Sequence, residues 1–167
     1  MKKVYIIAVF ALCILSMNAQ TSNNFSYKTT DSGMILISPV SDQSKSLGRR
    51  AVIQYDVKYF NDIIYKEVRN IFTDDDFRKV QILTFYSITI SSSGSVLSCT
   101  FGIMPDDKDI FTDDKLYNLY LNLMKVKFDM SKTKTMETID PNDLSYDYAQ
   151  ITGNILPPEY RKSSKVK

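Results

Sequence analysis

Thr84-Phe85-Tyr86-Ser87-Ile88-Thr89-Ile90-Ser91-Ser92-Ser93-Gly94-Ser95-Val96-Leu97-Ser98-Cys99-Thr100-Phe101-Gly102-Ile103 is the stretch on which the fold of this chain turns. Two runs rich in β-branched and aromatic residues flank Ser93-Gly94, where glycine takes the positive φ that a tight hairpin turn requires. Pairing about a two-residue loop sets Ile90 opposite Leu97, Ile88 opposite Cys99 and Tyr86 opposite Phe101. Those six share one face, while Ser87, Thr89, Ser98 and Thr100 fall on the other. The hairpin, taken from Val80 to Met104, therefore predicts a sheet with one covered face and one wet face.

Working outward, Phe60, Ile64, Val68 and Ile71 recur at helical spacing, with Ile63 and Phe72 beside them. This predicts a helix from about Tyr59 to Phe72. Just before it, Ile53, Tyr55, Val57 and Tyr59 alternate with Gln54, Asp56 and Lys58 in the pattern of a half-buried strand, so periodicity leaves the junction open. Beyond a polar loop at Pro105 to Asp109, a second helix is expected from about Asp113 to Lys125. Leu116, Leu119, Tyr120 and Leu123 lie on one of its faces, with Tyr117, Leu121 and Met124 alongside, a broad apolar arc that implies deep packing. Val126, Phe128 and Met130 alternate like a further strand, and Tyr146 to Leu156 supplies a last one. Near the start, Phe25 to Thr30 and Met34 to Ser38 flank Asp31-Ser32-Gly33 as a hairpin, Pro39 ends the second run, and Ser41 to Arg50 forms a solvated loop. The expected fold is one α+β domain, an antiparallel β-sheet with two helices packed on one face.

Ile71-Phe72-Thr73-Asp74-Asp75 is echoed at Ile110-Phe111-Thr112-Asp113-Asp114, without matching flanks. Each Thr is expected to cap a helix N-terminus, with the aspartates in the first turn where the helix dipole favours them.

The opening of the chain supplies an address. Lys2 and Lys3 precede a twelve-residue apolar run from Val4 to Leu15, and Met17-Asn18-Ala19 forms a small-residue exit before Gln20. This predicts a cleaved signal peptide over residues 1–19, since the run falls short of the roughly 20 residues that span a bilayer. Lipidation at Cys13 is disfavoured because Phe10 and Leu12 stand where that processing wants Leu and a small residue. Residues 20–24 and 159–167 are expected to be mobile. Of 21 Lys and Arg, Lys2 and Lys3 leave with the leader, so the mature cations equal the 19 carboxylates. A neutral chain lacks the electrostatic footprint for nucleic acid or an anionic membrane surface.

Reactive chemistry is sparse. Histidine is absent, removing the commonest general base and metal ligand. Cys99 is the one thiol left after the leader, and it alternates with Leu97, Phe101 and Ile103, which predicts a buried inert group. Aspartates between Asp106 and Asp114 suggest calcium, but from Asp107 the spacing puts Phe111 and Asn118 at ligand positions, so capping is preferred. Ser131-Lys132-Thr133-Lys134 matches the S-x-x-K string of acylating enzymes, yet it follows an expected strand and lacks companion motifs. Glu67, Glu137 and Glu159 stand in no recognisable acid-pair motif. No metal or cofactor is expected. Of the eleven tyrosines, Tyr55, Tyr59, Tyr65, Tyr86, Tyr117 and Tyr120 fall on apolar faces, whereas Tyr27, Tyr146, Tyr148 and Tyr160 are candidates for an exposed binding surface.

The leader ending Asn18-Ala19-Gln20, the helix ending Arg69-Asn70-Ile71-Phe72 and the run Ile88 to Ser98 resemble the small secreted proteins of unknown function common in Bacteroidetes. The order of helix, glycine-turned hairpin, helix and strand from about Tyr59 to Met130 also resembles the carboxy-terminal domain of the TonB family. With five prolines and no proline-rich spacer, the chain takes from that resemblance only its α+β layout. The functional expectation is a non-catalytic binding domain, exported to the periplasm or cell surface, for a protein or a glycan. A small secreted hydrolase using Asp and Glu carboxylates, acting on a glycan, is the competing expectation.

Overall fold

A computed structural model of the chain describes residues 24–40, 48–80, 84–138 and 145–161. The expected leader, most of the loop before Arg50 and the tail after Arg161 lie outside the described residues. Seven strands form one sheet: β1 (Phe25–Thr29), β2 (Ile35–Pro39), β3 (Arg50–Tyr55), β4 (Phe85–Ser91), β5 (Val96–Ile103), β6 (Thr133–Glu137) and β7 (Tyr148–Asn154). Their order is β1-β2-β5-β4-β7-β3-β6, antiparallel throughout except for the parallel pair β3 and β7. With them come helices α1 (Val57–Ile71), α2 (Asp74–Lys79) and α3 (Asp113–Leu123), making an α+β fold.

The open junction between strand and helix resolves at Asp56. Its carboxylate accepts the Tyr59 N–H at 3.0 Å, so β3 stops at Tyr55, and Val57 and Tyr59 belong to the first turn of α1. The repeated pentapeptides behave as expected, each Thr capping a helix. Thr73 and Asp76 form a reciprocal capping box on α2, a short helix whose extent periodicity had not shown, and Thr112 caps α3. The two motifs also meet. Phe72 and Phe111 lie 5.0 Å apart, and Lys115 Nζ, one residue beyond the second motif, reaches Asp76 Oδ1 at 2.9 Å.

In the central hairpin the pairs Ile88 with Cys99 and Tyr86 with Phe101 form as expected, but Ile90 sits opposite Val96, not Leu97. The turn explains the difference. Ser91 N–H bonds to Ser95 O and Gly94 N–H to Ser91 O, closing a three-residue loop with Gly94 at φ 89°. That one-residue offset is absorbed by a bulge at Leu97, which restores the expected register from Thr89 and Ser98 onward.

Val126, Phe128 and Met130 do not form the expected strand. A single bridge joins Lys127 to Ser95, and a 3-10 turn follows at Met130–Lys132. Tertiary contacts take these side chains instead. Phe128 is buried, stacked on Phe60 at 4.6 Å, and its N–H bonds to Gly94 O at 2.9 Å. The strand forms one step later as β6, in the Lys/Thr-rich stretch that carries the S-x-x-K string. Ser131 therefore lies in the 3-10 turn and Lys134 in a strand, not one helical turn apart.

β7 is a central strand, paired along its whole length with β4 and, at Tyr148 and Ala149, with β3. One set of alternate strand residues is buried: Phe25, Ile37, Ile53, Tyr86, Ile88, Ile90, Cys99, Phe101, Ala149 and Ile151. With them in one core cluster are Phe60, Ile64 and Val68 of α1 and Leu116, Leu119, Tyr120 and Leu123 of α3. The arc on α3 is narrower than its sequence implies, since Leu121 is exposed and Tyr117 and Met124 are half-buried. The carboxy-terminal residues Glu159 to Arg161 are tied in, Glu159 pairing with Arg69, Tyr160 packing on Phe77 at 5.1 Å, and Arg161 bonding Tyr65.

Candidate functional site: the outer face of the sheet

Strand alternation sends every second residue to the face opposite the core. On the adjacent strands β4 and β7 that set is Phe85, Ser87, Thr89 and Ser91 beside Asn154, Thr152, Gln150 and Tyr148, paired in that order. None of the eight carries a charge, in a chain where 24% of residues do. On β5, Thr100 and Ser98 continue the pattern opposite Ser87 and Thr89, and Ser38 Oγ of β2 lies 3.2 Å from Thr100 Oγ1. The result is a row of hydroxyls crossing several strands.

Two aromatic residues are placed on this face by glycine or by strand position. Gly102 lies directly across from Phe85, and a Cβ there would run into the Phe85 ring. The neighbouring pair does the same toward the core, where Gly153 makes room for the Tyr86 phenol. Tyr86 Oη donates to Asn61 Oδ1 at 2.8 Å, and burial pushes its ionisation well up.

At the Phe85 end, Thr84, Phe85, Thr152, Gly153 and Asn154 line a shallow depression of about 290 Å³. Thr84 is fully buried and its hydroxyl makes no hydrogen bond. Leaving such a group unmet costs about 1–3 kcal/mol. Its carbonyl is used, accepting from Ile155 N–H, and Asn154 Oδ1 accepts from Leu156 N–H at 2.8 Å. Tyr55 Oη donates to Thr152 O at 3.0 Å, bridging β3 and β7 where their direct pairing has ended.

The outer face is not uniformly wet. Ser87 and Thr100 are half-buried, but Thr89 and Ser98 are nearly covered, contrary to expectation.

The four tyrosines singled out from the sequence do not converge. Tyr27, on β1, packs against the core margin with Lys108 Nζ 5.9 Å from its ring centre. Tyr146 is half-buried on the core margin, and burial raises its ionisation. Tyr160 lies on Phe77 beside α2. Tyr148 alone shares the outer face with Gln150 and Thr152, and sequence reading had no reason to join it to Phe85. The signal that was available was the glycine directly across from that phenylalanine.

Two other clefts lie elsewhere, one of about 410 Å³ between the end of β3 and the start of β6 holding Asp56, and one of about 480 Å³ at the hairpin tip holding Asp129. Both carboxylates are engaged, Asp56 as the α1 cap and Asp129 in accepting from the Ser131 hydroxyl and then its N–H, which hold it below the usual carboxylate range. Glu159 is also lowered, by its own backbone N–H and then by Arg69. Neither of these two has the raised affinity for protons that a general acid needs. Cys99 is buried at the sheet centre, and burial pushes its thiol ionisation up. Among the described residues no group of three potential ligands from His, Cys, Asp or Glu comes together for a metal, and no helix is long and apolar enough to cross a membrane.

No family model and no curated protein matches the sequence. In three dimensions the chain is similar to the crystal structure of a DUF5043 family protein from Bacteroides uniformis, with a TM-score of 0.57 over 80% of this chain and 85% of that one, at 11% identity. That likeness is one of fold.

Proposed function

We propose that this protein is an exported, non-catalytic binding domain that takes its partner on the outer face of β4 and β7. The observation that carries the reading is the run of eight uncharged side chains from Phe85 to Tyr148, of which all but the nearly covered Thr89 offer a ligand hydrogen-bonding or aromatic contacts and none a carboxylate or an amine. In this reading α1 and α3 both cover the opposite face, where Tyr86 bonds Asn61 and the Phe25 ring meets Tyr117 and Tyr120 at 6.0 and 6.3 Å. The leader over residues 1–19 supports export to the periplasm or cell surface. The TonB-like layout contributes no energy-transducing role.

An edge strand can also accept a partner. β1 and β6 are the outermost strands among the described residues, but each is five residues long and carries a lysine, Lys28 and Lys134, and β6 is also bulged opposite β3, devices that blunt an edge. The face is therefore the better site. The test is to titrate the isotopically labelled exported protein with protein and glycan fractions of the producing cell's envelope, following backbone amide signals. Shifts clustered at Phe85, Ser87, Gln150 and Thr152 are expected; shifts confined to β6, or none, would overturn the proposal. Mass analysis of the exported product should give Gln20 as its first residue.

A further inference from the structure

Resting on that outer-face reading, we infer that the occupant is an uncharged glycan chain laid along β4 and β7, one sugar ring on Phe85 and another on Tyr148. A sugar ring has an apolar face of C–H groups and a rim of hydroxyls, so it is met by an aromatic surface flanked by neutral donors and acceptors. Both features are present here in one line. Phe85 pairs across from Asn154, and Tyr148 pairs across from Ser91 at the other end of β4, a separation of about 20 Å at the rise of a strand. That is the reach of a short oligosaccharide. Between the rings stand Ser87, Gln150 and Thr152, with Thr100 alongside on β5, while Thr89 and Ser98 are nearly covered.

Charge supports the same class of ligand. Lys28 is on β1, three strands from Phe85, Lys134 is on β6, two strands from β7, and Arg50 pairs with Tyr148 at one end, so an anionic polymer would find no cation between the two rings.

Affinity electrophoresis of the exported protein through gels containing, one at a time, starch, xylan, glucomannan, mixed-linkage β-glucan, polygalacturonate and heparin tests this. Retardation by a neutral polymer and none by the two polyanions is expected. Phe85→Leu, which keeps apolar cover over Gly102, and Tyr148→Ala should each weaken binding about tenfold, equivalent to about 1.4 kcal/mol. Retardation only by polyanions, by no polymer, or equally in Phe85→Leu and Tyr148→Ala would overturn the glycan assignment. Outer-face amide shifts produced by the protein fraction alone would leave the binding-domain reading standing without it, whereas absence of outer-face shifts from either fraction removes both.

Discussion

Asp76 shows how much a single side chain does here. Burial alone would raise its affinity for protons, but N–H and hydroxyl donation from Thr73 and the Lys115 ammonium outweigh it, leaving the carboxyl below its usual range. A carboxyl lowered in the folded state contributes stability above its unfolded pKa of about 3.9 and loses that contribution as pH falls through the folded value. Asp76→Asn should therefore destabilise the protein by about 1–2 kcal/mol at pH 7, from the cap and a partly screened ion pair. The gap to wild type should close in urea titrations repeated from pH 5 down to pH 2; a gap independent of pH would show that the charge is immaterial. The Thr caps were legible because a cap is a local event, written in Thr73 and Thr112 and the aspartates after them. That Lys115 would join the two motifs was not, because a contact between distant segments leaves no trace in local spacing.

Among the elements, the carboxy-terminal turn at Pro158–Tyr160 separates two kinds of tether. The Arg69–Glu159 pair is about half exposed, so Glu159→Ala should cost less than about 1 kcal/mol. Tyr160 covers Phe77, itself buried between α2 and the core, and Tyr160→Ala should cost about 1–3 kcal/mol through lost aromatic packing. Chemical denaturation of the two variants decides the order, and a larger loss for Glu159→Ala would show that the ion pair is the real fastener. The hairpin carries a related lesson. Its register was readable from alternation, but the loop length was not: a three-residue turn with a bulge at Leu97 and a two-residue turn without one give the same pairing from Ile88 onward.

Taken whole, the molecule places its one described thiol inside the sheet, on β5 beside β4 and within the core cluster. Cys99 is fully buried, and burial disfavours its thiolate. Labelling by a thiol reagent in native buffer should therefore be slow, with a rate that rises in step with global unfolding as urea is added. Fast labelling without urea would show that β4 and β5 part locally, and with them the outer face proposed to bind ligand.

Helix periods, caps, the two glycine turns and the burial of Cys99 follow from residues close together in the chain, because turns and amphipathic faces obey local geometry. The insertion of β7 between β4 and β3, the shift of the last pairing strand from Val126–Met130 to Thr133–Glu137, and the union of Phe85 with Tyr148 on one surface arose only on folding. Backbone hydrogen bonds between strands are blind to side-chain identity, so which strands become neighbours is settled by competition for the shared core, and with it the composition of the face turned away.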